Sequence, residues 1–220
     1  MYRRMKRAAM ALVIAAAGTV TISSILPAQR AAAESQDSRT RGLVFGLNTI
    51  TAQGIAITND EIGINFRTGS GTGAGVMVGW GVNRFLTTYV SIDVAKQKST
   101  VEDFEGDFGL VHGEFGLRGN LAMGRSSTVP YVSVAAGARA LAAKVTEPGV
   151  DEPYSMTWSG NLVSVGAGVE HSFSRSTALD AGVSIGFGKF DKIKADGEEL
   201  PLPVDPTRSI RFRAGVTWRP

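Results

Sequence analysis

The sequence predicts an all-β fold, an eight-stranded antiparallel up-and-down transmembrane β-barrel, on three observations. Apolar residues recur at every second position in segment after segment from Arg41 to Trp218, with no sustained 3.6-residue period. The connections between these segments alternate between short and long, the pattern of a barrel with tight turns at one membrane face and loops at the other. The parity opposite the apolar one carries small residues and balanced charges, where a soluble sheet would carry solvated Lys and Glu on its outer face. Composition agrees: among 220 residues only 20% are charged and 27 are Gly, a mixture poor for helices but suited to strands whose backbones crowd a narrow interior.

After Met1 the chain runs Tyr-Arg-Arg-Met-Lys-Arg, continues through an apolar run from Ala8 to about Ile25, and reaches Ala31-Ala32-Ala33 before Glu34. That is the three-part plan of a cleaved secretory signal over residues 1–33. A retained helical span is the competing reading, but Gly18, Thr19, Thr21, Ser23 and Ser24 dilute the run and a small-residue cleavage site follows it. Five basic residues and no acid lie before Glu34; without them 18 basic residues face 20 acidic ones, a net charge of −2. A slightly acidic exported chain argues against nucleic acid as a partner, because that affinity is built from surplus Lys and Arg. The absence of Cys excludes a disulfide framework and a thiolate metal site. Residues 34–40 are polar, without period, and read as a flexible lead-in to a barrel over 41–220.

The eight segments run at about 41–57, 72–82, 85–97, 108–122, 129–145, 158–173, 177–190 and 208–218. Asn83-Arg84, Met123–Thr128 and Ser174–Ser176 are the short connections; about 58–71, 98–107, 146–157 and 191–207 are the long ones and hold most of the acids. An even strand number brings both ends of the barrel to the short-turn side.

Parity then assigns the faces. Leu43, Leu47, Val76, Val78, Val90, Ile92, Phe115, Leu117, Val132, Val134, Val163, Val165, Leu179 and Val183 fall outside. In the last strand Ile210, Phe212, Ala214, Val216 and Trp218 join them, with Arg211, Arg213 and Thr217 on the other side. The lumen parity is expected to hold almost no large aliphatics. Its charges are four acids, Asp93, Glu114, Glu170 and Asp180, and four bases, Arg118, Arg139, Arg211 and Arg213. Inside a narrow barrel such groups must pair, since an unpaired buried charge costs several kcal/mol. Arg211 and Arg213 are expected to reach carboxylates, one of them Asp180 on the neighbouring strand and the other across the lumen. Phe45, Trp80, Phe173 and Trp218 are on the apolar parity near short turns or the end of the barrel, the positions of a periplasmic aromatic girdle. Lys96, Lys98, Lys144, Lys189, Lys192 and Lys194 lie where strands meet long loops, as snorkelling at a polar boundary requires.

The chain resembles the small eight-stranded outer-membrane barrel proteins, the group of OmpX, OmpW and the transmembrane domain of OmpA. The resemblance spans Arg41 to Trp218 and rests on Gly79-Trp-Gly-Val-Asn-Arg-Phe85, Ala135-Ala-Gly-Ala-Arg139 and the closing strand ending near Trp218. It implies a location in the bacterial outer membrane, with outer-membrane lipid and the barrel-insertion machinery as partners. Members usually end on the aromatic that this machinery reads, whereas this chain adds Arg219-Pro220.

Other chemistry finds little support. The Gly69–Gly75 run lacks the spacing, the following helix and the Lys-Ser/Thr of a phosphate loop. His112 and His171 form no metal-ligand pair. His171 invites comparison with a His-x-Ser motif of barrel deacylases, but position 173 is Phe. The acid-rich 101–107 stretch does not follow calcium-loop spacing, and Arg84, Arg125 and Arg175 place one cation in each short turn. The expectation is therefore a non-enzymatic membrane anchor without catalytic residues, metal or cofactor, presenting four loops to an external ligand or surface. A narrow passive channel is the alternative, and a soluble periplasmic lipocalin-like binding barrel a second. N-terminal sequencing of the exported chain is expected to begin at Glu34; an intact Met1 in the mature protein would contradict the signal reading.

Overall fold

The computed structural model describes residues 41–52, 55–59, 64–99, 107–121, 126–145, 154–196, 198–200 and 207–220. The expected signal segment 1–33, the lead-in 34–40, Arg125 and the acidic residues of 101–106 lie outside them. Among the described residues eleven strands form: β1 (Gly42–Ala52), β2 (Ala56–Asn59), β3 (Ile64–Asn83), β4 (Leu86–Ser99), β5 (Asp107–Asn120), β6 (Thr128–Val145), β7 (Tyr154–Ser172), β8 (Thr177–Gly188), β9 (Lys192–Ala195), β10 (Glu198–Leu200) and β11 (Thr207–Trp218). No helix occurs among the described residues.

Eight of these strands close a ring in the order β1, β3, β4, β5, β6, β7, β8, β11, every neighbour antiparallel. The seam is β1 against β11, in register from Phe45 opposite Trp218 to Ala52 opposite Arg211. Each ring strand has 11 or more residues, enough to cross a hydrocarbon core with the usual tilt, which takes about 9–11. The short turns are fixed locally: the Asn83 side-chain oxygen accepts from the backbone N–H groups of Phe85 (2.8 Å) and Leu86 (2.9 Å). In the Ser174–Ser176 turn, Ser174 Oγ accepts from the N–H groups of Ser176 (3.2 Å) and Thr177 (3.0 Å).

Long connections expected as loops are partly strand. Within 58–71, β3 begins at Ile64 and pairs with β2, and within 191–207, β9 and β10 form a hairpin whose first strand pairs with β7. β7 itself starts at Tyr154, pairing with β6 out to Val145. The physical reason is that hairpins continue past the membrane wherever paired backbones find partners; Thr68 Oγ1 helps by accepting from Ile55 N–H (2.8 Å) and donating to Gln97 Oε1 (2.9 Å). A register shift between Thr68 and Gly71 marks where this extension joins the barrel wall. The Gly69–Gly75 run is therefore strand and not loop. Gly75 is there because the Asp93 carboxylate occupies the place a Cβ would take.

The exterior is apolar around the ring. Leu47, Val78, Ile92, Phe115, Val134, Val163, Leu179 and Phe212 are all exposed, one from each of the eight strands. A continuous apolar surface of this extent is stable against hydrocarbon and not against water. Val165, exposed near the middle of β7, offers the test. Val165→Arg is expected to lose about 2–4 kcal/mol of folding stability in lipid vesicles, whereas Val165→Leu stays within about 0.5 kcal/mol; equal behaviour of the two would reject the face assignment.

Candidate functional site

The lumen is filled in three layers, described from the short-turn end. In the first, Arg118 of β5 meets two carboxylates from β7 and β8: its Nη2 lies 2.6 Å from Asp180 Oδ2 and 3.2 Å from Glu170 Oε2. The Tyr131 hydroxyl donates to Asp180 Oδ1 at 3.0 Å, and the Arg118 guanidinium stacks 3.5 Å over the Tyr131 ring. Gly168 and Gly182 make room for that tyrosine, because a Cβ at either would collide with its ring or hydroxyl. Arg219 completes the layer, with Nη1 2.8 Å from Glu170 Oε1 and Nη2 donating to Oε2 at 3.0 Å. Sequence reasoning missed this residue as a lumen group. Parity carried the signal, since Arg219 follows Arg211, Arg213 and Thr217 at even steps.

The second layer joins β11 to β4 and β5. Arg211 donates from Nη1 to Asp93 Oδ2 at 2.8 Å and from Nη2 to Glu114 Oε1. Arg213 Nη2 reaches the same two carboxylates, at 2.8 Å to Asp93 Oδ2 and 3.2 Å to Glu114 Oε2. Both arginines thus look across the lumen. The expectation that one of them takes Asp180 is corrected, because Arg118 and Tyr131 already hold that carboxylate. Between the layers lies a cavity of about 30 Å³ bordered by Tyr89, Arg118, Tyr131, Asp180 and Arg213, on the scale of a single water.

The third layer, toward the long connections, overturns the expectation of a lumen almost free of large aliphatics. Ile55, Phe108, Leu110, Leu141, Trp158, Phe190 and Ile193 pack there with Ala52 and Ala143 as one buried cluster, Phe108 and Trp158 lying with ring centroids 6.4 Å apart. Parity was informative here too, since Phe108 and Leu110 share the phase of His112 and Glu114. Arg139 sits beside this plug. Expected as a member of the paired network, it meets no carboxylate among the described residues; its guanidinium lies 4.5 Å over the Phe190 ring. His112, opposite Arg139 in register, is also buried.

The four aromatics expected at one end are on the outer face there. Trp80, Phe173 and Trp218 are exposed, and Phe45 stacks on Trp218 at 5.7 Å. Phe85, exposed in the turn after Asn83 with Arg84 4.5 Å over its ring, belongs with them. At the opposite end Lys96, Lys98, Lys144, Lys189, Lys192 and Lys194 are all exposed. His171 is exposed outside the barrel, 2.8 Å from Thr128 Oγ1.

The lower layers contain opposed charges in equal number, each paired within hydrogen-bond distance, so removing one partner strands the other. Arg118→Leu is expected to cost about 3–5 kcal/mol in urea unfolding from lipid vesicles. Arg175→Leu, which removes the same charge from an exposed turn, should cost no more than about 0.5 kcal/mol. Similar losses for both would show that the lower layer is not what holds the lumen.

No family model and no curated protein matches the chain. Solved structures do. The crystal structure of Neisserial surface protein A aligns over 79% of this chain and 96% of its own, at 16% identity and a TM-score of 0.53. The outer-membrane protein OprG of Pseudomonas aeruginosa aligns over 83% and 97%, at 10% identity and a TM-score of 0.49. Ail, the attachment invasion locus protein of Yersinia pestis, aligns over 80% and 99%, at 14% identity and a TM-score of 0.47. At such identities the likeness speaks to architecture, and with the closed ring already described it is plain: this chain has the fold of the small eight-stranded outer-membrane barrels.

Proposed function

We propose that the protein is a non-enzymatic integral protein of the bacterial outer membrane, exported on a cleaved signal segment, whose plugged barrel anchors four long connections outside the cell. The observation that carries this reading is the distribution of polarity: an apolar exterior on all eight strands around a lumen whose half nearer the short turns is filled with paired charge. The exposed aromatics at the short-turn end and the exposed lysines at the long-connection end support a position across the bilayer, since both residue types favour its polar boundaries. The barrel would depend on outer-membrane lipid and the insertion machinery as partners, and the connections would supply contacts to an external ligand or surface. No cofactor enters this role.

The channel reading is opposed by the filling of the lumen. Two layers of ion pairs and an apolar plug stand in series along the axis, and an eight-stranded barrel encloses only what side chains can occupy. A soluble lipocalin-like barrel would have the reverse distribution, apolar within and charged without. Planar-bilayer recording separates the first two readings. The wild type is expected to show no steady conductance, and Arg213→Ala, which releases one bond each to Asp93 and Glu114, should raise the frequency of brief openings. A large steady conductance in the wild type would overturn the anchor reading in favour of the channel.

A further inference from the structure

Charge bookkeeping in the lumen leaves one group over. Arg118 and Arg219 face Glu170 and Asp180, and Arg211 and Arg213 face Asp93 and Glu114, so both pairs of ion pairs are neutral. Arg139 belongs to neither. It is 2% exposed, and its Nε, Nη1 and Nη2 all lack a hydrogen-bond partner among the described residues. Phe190 covers one face of the guanidinium and leaves its edge, where the N–H donors point, unanswered. The charged neighbour near enough to act on it is Arg211, of the same sign, and Arg211 is itself engaged by Asp93 and Glu114.

Directly opposite Arg139 in the β5–β6 register stands His112, 1% exposed, with neither ring nitrogen bonded among the described residues. Side chains at such facing positions enter the lumen side by side, with Cβ atoms about 4.5–5.5 Å apart. We propose that Arg139 and His112 together form a lumenal binding site for one small monovalent anion of the halide class.

The donor set defines the ligand. A guanidinium supplies N–H donors and no acceptor, and a neutral imidazole adds one more donor. Water would answer the donors but leave the charge, whereas an anion answers both, which is what a buried cation requires. Among the described lumenal groups the surplus is a single positive charge, so a monovalent ion neutralises them and a divalent one would overshoot. Full enclosure of the guanidinium nitrogens favours a small ion over an organic carboxylate. This inference rests on the lumen alone and is independent of what the long connections contact.

The test uses the folded full-length barrel in detergent micelles, with chloride exchanged for gluconate at fixed ionic strength and stability read by urea titration. Above its dissociation constant, each tenfold rise in chloride should raise the folded-to-unfolded ratio by about tenfold. Arg139→Met should abolish that dependence, and His112→Leu should shift its onset to higher chloride. Crystals of the wild type grown in bromide should show anomalous density at the Arg139 guanidinium, a readout that does not require any variant to fold. A wild type indifferent to the anion, an Arg139→Met protein that still responds, or bromide found only elsewhere would each overturn the proposal.

Discussion

The constraint on which the rest depends is the pairing of β1 with β11. In hydrocarbon an unpaired backbone N–H or C=O costs several kcal/mol, so a sheet is admissible only if its first and last strands meet. They do so over eight residue pairs, from Phe45 against Trp218 to Ala52 against Arg211. The ring closes with eight strands, that number sets the width of the lumen, and the width determines which side chains can share it. Phe45 and Trp218 stack at the open end of that seam, where the two ends of the sheet would otherwise fray.

A lumen this narrow must solve a problem that a soluble core avoids. Its charged groups are removed from bulk water yet too close together to remain independent, so each carboxylate in the two lower layers is met by at least one arginine. Small residues on neighbouring strands provide the room. Gly75 yields its Cβ position to Asp93, and Gly168 and Gly182 yield theirs to Tyr131. The high glycine content is thus a packing requirement of the charges as well as of the backbone.

Polarity changes along the axis. Ion pairs occupy the half nearer the short turns, and the buried cluster around Leu141, Trp158 and Phe190 occupies the half nearer the long connections. An apolar plug excludes water without needing partners, while the ion pairs lock strands together with directional bonds. Arg139, at the boundary, has the plug on one side and the charged layers on the other, which is why it finds an aromatic face in place of a carboxylate.

The sequence by itself determined the number of strands in the ring, the alternation of short and long connections and the assignment of faces, because side chains alternate with a period of two and that period is local. Phe115, Val134 and Val165 fall outside, and Asp93, Glu114 and Arg118 inside, as parity required. Parity was also sufficient to place Phe108, Leu110 and Arg219 in the lumen. What it could not supply was the height at which residues of different strands meet, since this depends on the stagger of strands that are distant in sequence. Only the tertiary structure decided that Arg118 takes Asp180, that Arg211 and Arg213 share Asp93 and Glu114, and that Arg139 is left beside Phe190. The extension of β3 and β9 into the long connections was likewise decided by pairing, which a single segment's pattern does not contain.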